Sequence, residues 1–173
     1  MRAVTIVGNP LAPSRTRILA DQLSGILAEH GAKVETVDLA HLPVDGLAHG
    51  RPEPDAQAAL DLVLAADLLL IVTPIYKASY TGLLKLVFDG LSHESLRGKV
   101  AIPVIVGAWH GHFLVLDHAL KPVLSALGAT TTVRGQLVIE TAIDKEAGTV
   151  AAEVLDEFRP LADEAVRLVQ TLR

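Results

Sequence analysis

The stretch AVTIVGNPLAPSRTRIL, residues 3–19, runs from an apolar β-type segment through a proline-bearing polar loop into a helical pattern. Val4, Ile6 and Val7 read as a buried strand, and the apolar periodicity beginning near Ile18 reads as a helix over residues 14–30. A βα unit of this kind puts its loop at the carboxyl edge of a parallel sheet, where open α/β folds bind ligands. The loop lacks the G-x-G-x-x-G spacing that brings a backbone against a pyrophosphate, and it lacks the Lys-Ser/Thr pair of a P-loop. It offers instead Ser14, Arg15 and Thr16 at a helix start, where free N–H groups and the helix dipole attract one terminal phosphate. Taken alone, an N-cap serine beside a solvated arginine explains Ser14 and Arg15 equally well. Position at the ligand edge favours the phosphate cradle. The loop has none of the clustered carboxylates that a response regulator would carry there.

Outward from this unit, short Val/Ile-rich runs alternate with amphipathic segments of helical length, the pattern of a parallel sheet covered on both faces. Strands are expected at residues 3–7, 33–37, 68–73 and 100–106, with a last one within 131–139. Helices are expected over 14–30, 55–65, 81–90, 112–127 and 150–172, with Gly31 and Gly128 where C-caps want a left-handed residue. The reading is a single α/β domain spanning residues 1–173, a three-layer sandwich around a five-stranded parallel sheet. Its strand order is flavodoxin-like, 2-1-3-4-5, or that of a truncated Rossmann sheet. In either order the loops at 8–16, 74–80 and 107–112 share the ligand edge. Asp38, after the second strand, reads as a loop cap and not as a ribose contact, because the glycines are missing. Residues 39–54, with three prolines and two glycines, read as a long surface loop.

The chain has 173 residues, half of them apolar, enough for one core and too few for two. Its formal charge of −5 is mild and its basic residues are scattered, so no nucleic-acid partner is expected. There is no cysteine, which excludes disulfides, thiolate metal sites and a Cys nucleophile and leaves redox chemistry to a bound cofactor. Asp61 and Asp67 interrupt the most apolar region, no membrane span is long enough, and no secretory signal stands at the N-terminus. A soluble, cytoplasmic protein is expected. High apolar content with few aromatic residues suggests that another subunit covers some helix faces.

TPIYKASYTGLLKLVFDGL, residues 73–91, together with the 8–16 loop, LRGKV at 96–100 and DHALKPVLSALGA at 117–129, carries a family resemblance. Over roughly residues 2–135 the chain resembles the NAD(P)H-dependent FMN reductases of flavodoxin-like fold, above all the reductases of alkanesulfonate and methanesulfonate monooxygenase systems. The resemblance implies the 2-1-3-4-5 order, FMN and NADPH or NADH as ligands, and hydride transfer that supplies reduced flavin to a partner monooxygenase. A homodimer or homotetramer built on the helices after strands three and four is also expected, because Leu83, Leu84, Leu86, Val87, Phe88 and Leu91 cover more of a helix than one sheet can bury. The flavin-binding residues would be Asn9, Ser14, Arg15 and Thr16 in the first loop, Pro74, Ile75, Tyr76 and Lys77 in the second, and Gly107 and Ala108 in the third. The second loop makes chemical sense as a polar turn whose N–H groups face the ring edge that gathers electron density on reduction, with Tyr76 and Lys77 bordering it.

Hydride transfer needs positioning and no side-chain acid or base, so no catalytic residue is assigned. His110 and His112 have no third ligand placed by the sequence, and no metal is expected. The chain departs from the family at Asn9 and Leu11, where serine and arginine are common, and at Ala108, Trp109 and His110, where glycine and small residues are usual. Two other readings remain: a quinone or azo reductase that keeps its FMN, and a flavodoxin-like electron carrier. Carriers are strongly acidic and sandwich the ring between aromatics, and neither feature is present here.

Pro122 falls inside the helical pattern at 112–127 and has no N–H for the His118 carbonyl, so a kink or a π-bulge is expected. In the alkanesulfonate-linked reductases the matching position is an inserted tyrosine on a π-helix at a subunit interface, and some relatives have histidine. The resemblance therefore implies that His118 sits on such a bulge, near the flavin edge, and loosens FMN for exchange.

Overall fold

The computed structural model describes residues 1–129 and 131–172. Its sheet is built from β1 (Arg2–Val7), β2 (Lys33–Asp38), β3 (Leu68–Pro74), β4 (Val100–Gly107), β5 (Thr131–Thr132) and β6 (Gln136–Ile139). The order is β2-β1-β3-β4-β5, with β6 also pairing β4 and every pair parallel. This is the flavodoxin-like order, and it excludes the truncated Rossmann alternative. The last strand is one position in two pieces. β5 aligns Thr131 with Val100, whereas β6 aligns Gln136 with Val104, so one extra residue lies between them. Gly135 absorbs it with a φ of 83°, lying so close to the Pro103 carbonyl that a Cβ would come within 2.7 Å of it.

Side chains of the strands alternate between two cores. Val4, Ile6, Leu69, Ile71, Ala101 and Ile105 face α2 (Pro54–Ala65), α3 (Gly82–Asp89) and α4 (Lys121–Ala126). On the other face Ala3, Val7, Leu70, Val72, Ile102 and Val104 meet α1 (Arg15–Glu29) and α5 (Ala152–Leu172). β3 is buried along its whole length, as a central strand covered on both faces must be.

Local chemistry sets the element ends. Ser14 Oγ accepts from Arg17 N at 3.2 Å and caps α1. Gly31 and Gly128 adopt left-handed φ values of 79° and 89° just past helix ends. Asp38 Oδ1 accepts from Ala40 N at 3.1 Å while its Oδ2 takes Arg17 Nη1 at 2.9 Å, so it is the cap that its place after β2 suggested. Residues 39–54 are a surface segment with two short 3₁₀ turns, Leu39–His41 and Leu47–His49.

The segment after β4 departs from the single helix that periodicity alone suggested over 112–127. A 3₁₀ turn (His110–Phe113) is followed by a π-helix (Leu116–Leu120) and only then by α4. The π turn contains His118 and ends just before Pro122, where a missing N–H leaves the preceding carbonyls to find other geometry. A hairpin unforeseen in the sequence, β7 (Ile143–Asp144) against β8 (Thr149–Val150), stands between β6 and α5. In α3, Leu84, Val87 and Phe88 are buried against the sheet, leaving Leu83 and Leu86 half-buried.

Candidate functional site

The first loop is shaped by its own side chains. Asn9, nearly buried, donates from Nδ2 to Thr16 Oγ1 at 3.2 Å and accepts the Leu11 N–H on Oδ1 at 2.9 Å. One amide thereby ties the end of β1 to the first turn of α1. The Thr16 hydroxyl, having accepted from Asn9, and the Ser14 hydroxyl, having accepted from Arg17 N, each keep a proton to donate. The N–H groups of Arg15 and Thr16 stand in the first turn, ahead of any intrahelical acceptor.

The second loop is a mirror-image two-residue turn. Tyr76 and Ser79 exchange backbone hydrogen bonds of 2.8 and 3.1 Å across Lys77 and Ala78, whose φ values are 52° and 60°. Neither is glycine, so the turn holds two side chains in a conformation that costs L-residues about 1–2 kcal/mol each. Buried Thr81 locks this loop to the first. Its hydroxyl donates to the Gly8 carbonyl at 2.6 Å and accepts from Leu84 N at 3.2 Å.

The third loop opens at Gly107. A Cβ there would lie 2.9 Å from His112 Nδ1 and 3.0 Å from Ile75 Cδ1, so any side chain at this position would push His112 and Ile75 aside. That Nδ1 is buried without a hydrogen-bond partner, and the His112 ring meets Trp109 edge-on at 5.8 Å.

Together the loops line an open cleft of about 290 Å³ at the carboxyl edge of the sheet. Asn9, Ser14, Arg15, Thr16, Pro74, Ile75, Tyr76, Gly107 and Ala108 all line it. Lys77 does not. As the first central residue of the turn, it is thrown outward and exposed. Leu11, Pro13, Val106, His112, Glu140 and Lys145 complete the wall. Glu140 and Lys145 follow the last strand. The ligand-edge rule that singled out three loops would have found them had it been applied to that strand too.

The arrangement suits a flavin mononucleotide on observations of the chain itself. It has hydroxyl protons and open N–H groups for a phosphate at the α1 start, and the chain of Pro74–Tyr76 and Gly107–Ala108 along the rest of its wall. The family model for NADPH-dependent FMN reductase matches residues 1–144. The chain belongs to this family.

As an FMN reductase it is an oxidoreductase. It is 36% identical over 156 residues to an FMN reductase (NADPH) of Pseudomonas putida KT2440, covering 90% of this chain and 79% of the relative. It is 35% identical to the NADH-dependent FMN reductase SfnF of Pseudomonas putida, covering 84% and 81% respectively. Among solved structures, an apo NADH:FMN oxidoreductase, EMOB, superposes with a TM-score of 0.86 at 31% identity, over 99% of this chain and 90% of the other. Among the described residues no helix of this FMN reductase is long and apolar enough to cross a membrane, and no group of three His, Asp or Glu is placed to hold a metal.

Proposed function

We propose that this chain uses NADPH or NADH to reduce FMN and releases the reduced flavin to a separate two-component monooxygenase, of sulfonate type. The observation that carries this reading is the cleft at the first helix N-terminus, polar at the Ser14–Thr16 end and backbone-walled along Pro74–Tyr76 and Gly107–Ala108. FMN, when bound, supplies the hydride-accepting ring. The protein's part is to hold the phosphate on Ser14, Arg15 and Thr16, orient the ring against the second and third loops, and leave its other face open to a nicotinamide. Asn9 acts through Thr16, whose hydroxyl it positions. Support for the monooxygenase partner is the likeness to SfnF and the matching motifs.

Exposed Trp109 and Leu114 flank the π-helix, and His118 is exposed upon it. This apolar face is where we place a homodimer or homotetramer contact, near the flavin edge, with the chain working in the cytoplasm. NADPH and NADH oxidation by the purified protein, with and without added FMN, tests the reading. Oxidation that depends on added FMN, with free reduced flavin appearing under anaerobic conditions, is the expected result. Turnover on quinones or azo compounds by protein that keeps its flavin would refute release. A permanently yellow protein that oxidises neither nucleotide would mark an electron carrier.

A further inference from the structure

The hairpin β7–β8 is fastened to the first helix. Arg15 Nε donates to the Ile143 carbonyl at 3.3 Å, and Ile143 itself is buried in the core that α1 shares. The hairpin tip is stiff as well. Asp144 Oδ1 accepts from Glu146 N at 2.9 Å and from Ala147 N at 3.0 Å, and Gly148 closes the turn with a φ of 67°. The Ala147 and Glu146 N–H groups, with the Arg15 charge beyond them, hold the Asp144 carboxyl below its ordinary value. The next residue, Lys145, lines the same cleft as Ser14, Arg15 and Thr16. Among the described residues of that cleft, Arg15 and Lys145 are the permanent cations and Glu140 is the carboxylate. The family model matches residues 1–144, and Lys145 is the next residue.

We propose that hairpin β7–β8 is an outer jaw of the phosphate end of the cleft, with Lys145 as a second cation for a terminal phosphate monoester and Arg15 as the strut that holds the jaw to α1. This rests on the reading of the cleft as a flavin and nicotinamide site. Two ligands there carry such a phosphate: FMN at its 5′ end and NADPH at its 2′ position. A dianion beside one helix N-terminus and one arginine leaves uncompensated charge, and a lysine on a short, pinned hairpin supplies it at little ordering cost. Arg15 has then two duties. Its Nε is engaged with the hairpin while the rest of the guanidinium is left for the ligand.

The test is equilibrium binding of FMN, riboflavin, NADPH and NADH to the wild type and to Lys145→Ala, Lys145→Arg and Lys145→Glu, followed by flavin fluorescence or calorimetry. Lys145 is exposed, so its variants keep the fold. If the phosphate is that of FMN, Lys145→Ala weakens FMN about three- to tenfold, between an exposed ion pair and a charged hydrogen bond. Riboflavin is then unchanged, Lys145→Arg restores binding, and Lys145→Glu weakens it further. If the phosphate is that of NADPH, the same pattern appears between NADPH and NADH instead, and the proposal stands with that ligand. Equal changes within both pairs, or none, in protein that still binds FMN would overturn the jaw and leave the flavin reading intact. A wild type that binds neither flavin would overturn both.

Discussion

Replacing Thr81 by valine removes one hydroxyl and keeps the side chain's shape, and this hydroxyl has two partners at the junction of the first two site loops. It donates to the Gly8 carbonyl at 2.6 Å and accepts from Leu84 N at 3.2 Å as the α3 cap. Thr81 is 1% exposed, so water cannot replace it freely. Losing the cap costs about 1 kcal/mol. Stranding a buried carbonyl costs about 1–3 kcal/mol more. The sum is about 2–4 kcal/mol, which for a chain of this size lowers Tm by roughly 4–16 °C. Thr81→Ser, which keeps both hydrogen bonds and gives up one methyl group, should cost about 1 kcal/mol. Urea unfolding followed by far-UV circular dichroism measures both. A Thr81→Val variant within about 0.5 kcal/mol of Thr81→Ser would show that the hydroxyl does not hold the loops together, whatever its geometry.

Arg15→Ala should weaken FMN by roughly 10- to 150-fold while barely changing riboflavin, since a hydrogen bond to a charged group contributes about 1.5–3 kcal/mol; equal losses for the two flavins in a titration would refute the phosphate assignment. Ala78→Gly should stabilise the fold by about 0.5–1 kcal/mol, the left-handed strain relieved less the added chain entropy, and thermal unfolding that shows a loss instead would count against strain in the turn. Removing His118 should return the π turn to regular helix, raise FMN retention through purification and slow steady-state flavin transfer; a folded deletion variant that sheds flavin and turns over like the parent would defeat that role. His30 has its Nδ1 against the Ile26 carbonyl at 2.8 Å and its Nε2 against Asp163 at 2.7 Å, which only the imidazolium can satisfy, so the backbone hydrogen bond first and Asp163 second raise its pKa above 6.5. Its stabilisation is full below that value and fades as pH rises through the raised native pKa, so the urea midpoints of wild type and His30→Gln should differ most below pH 6.5 and converge once the pH has passed the raised native pKa.

Strands β1, β3 and β4 could be read within a residue of their ends because they are short runs rich in Val, Ile and Leu, buried along nearly their whole length, while β2, the largely exposed edge strand KVETVD, was read as closely from its place between two helical patterns. The helix caps at Ser14, Gly31 and Gly128 were legible because each residue type answers a backbone need, while Thr81 was read only as the start of its helix. An irregularity before Pro122 was legible as a kink or a π-bulge, and only the resemblance favoured the π turn that is found. By contrast, the break between β5 and β6 depends on close packing of Gly135 against Pro103, a contact far apart in sequence. The hairpin at residues 143–150 has strands too short to show alternation. At the site, position in the sheet brought nine of the ten named residues to one cleft, while Lys77 turned outward because the reversal at Tyr76–Ser79 is set by backbone torsions that its sequence does not advertise.

Asn9 spends its amide on Leu11 and Thr16, and this has a kinetic meaning. The loop holds its shape through the protein's own groups, so an arriving flavin finds a finished seat and no segment must fold around it. Encounter is then governed by diffusion and orientation, and residence time alone separates a resident flavin from a travelling one. For the release of reduced flavin proposed above, such a seat has an advantage, because emptying it leaves nothing to rebuild before the next flavin binds.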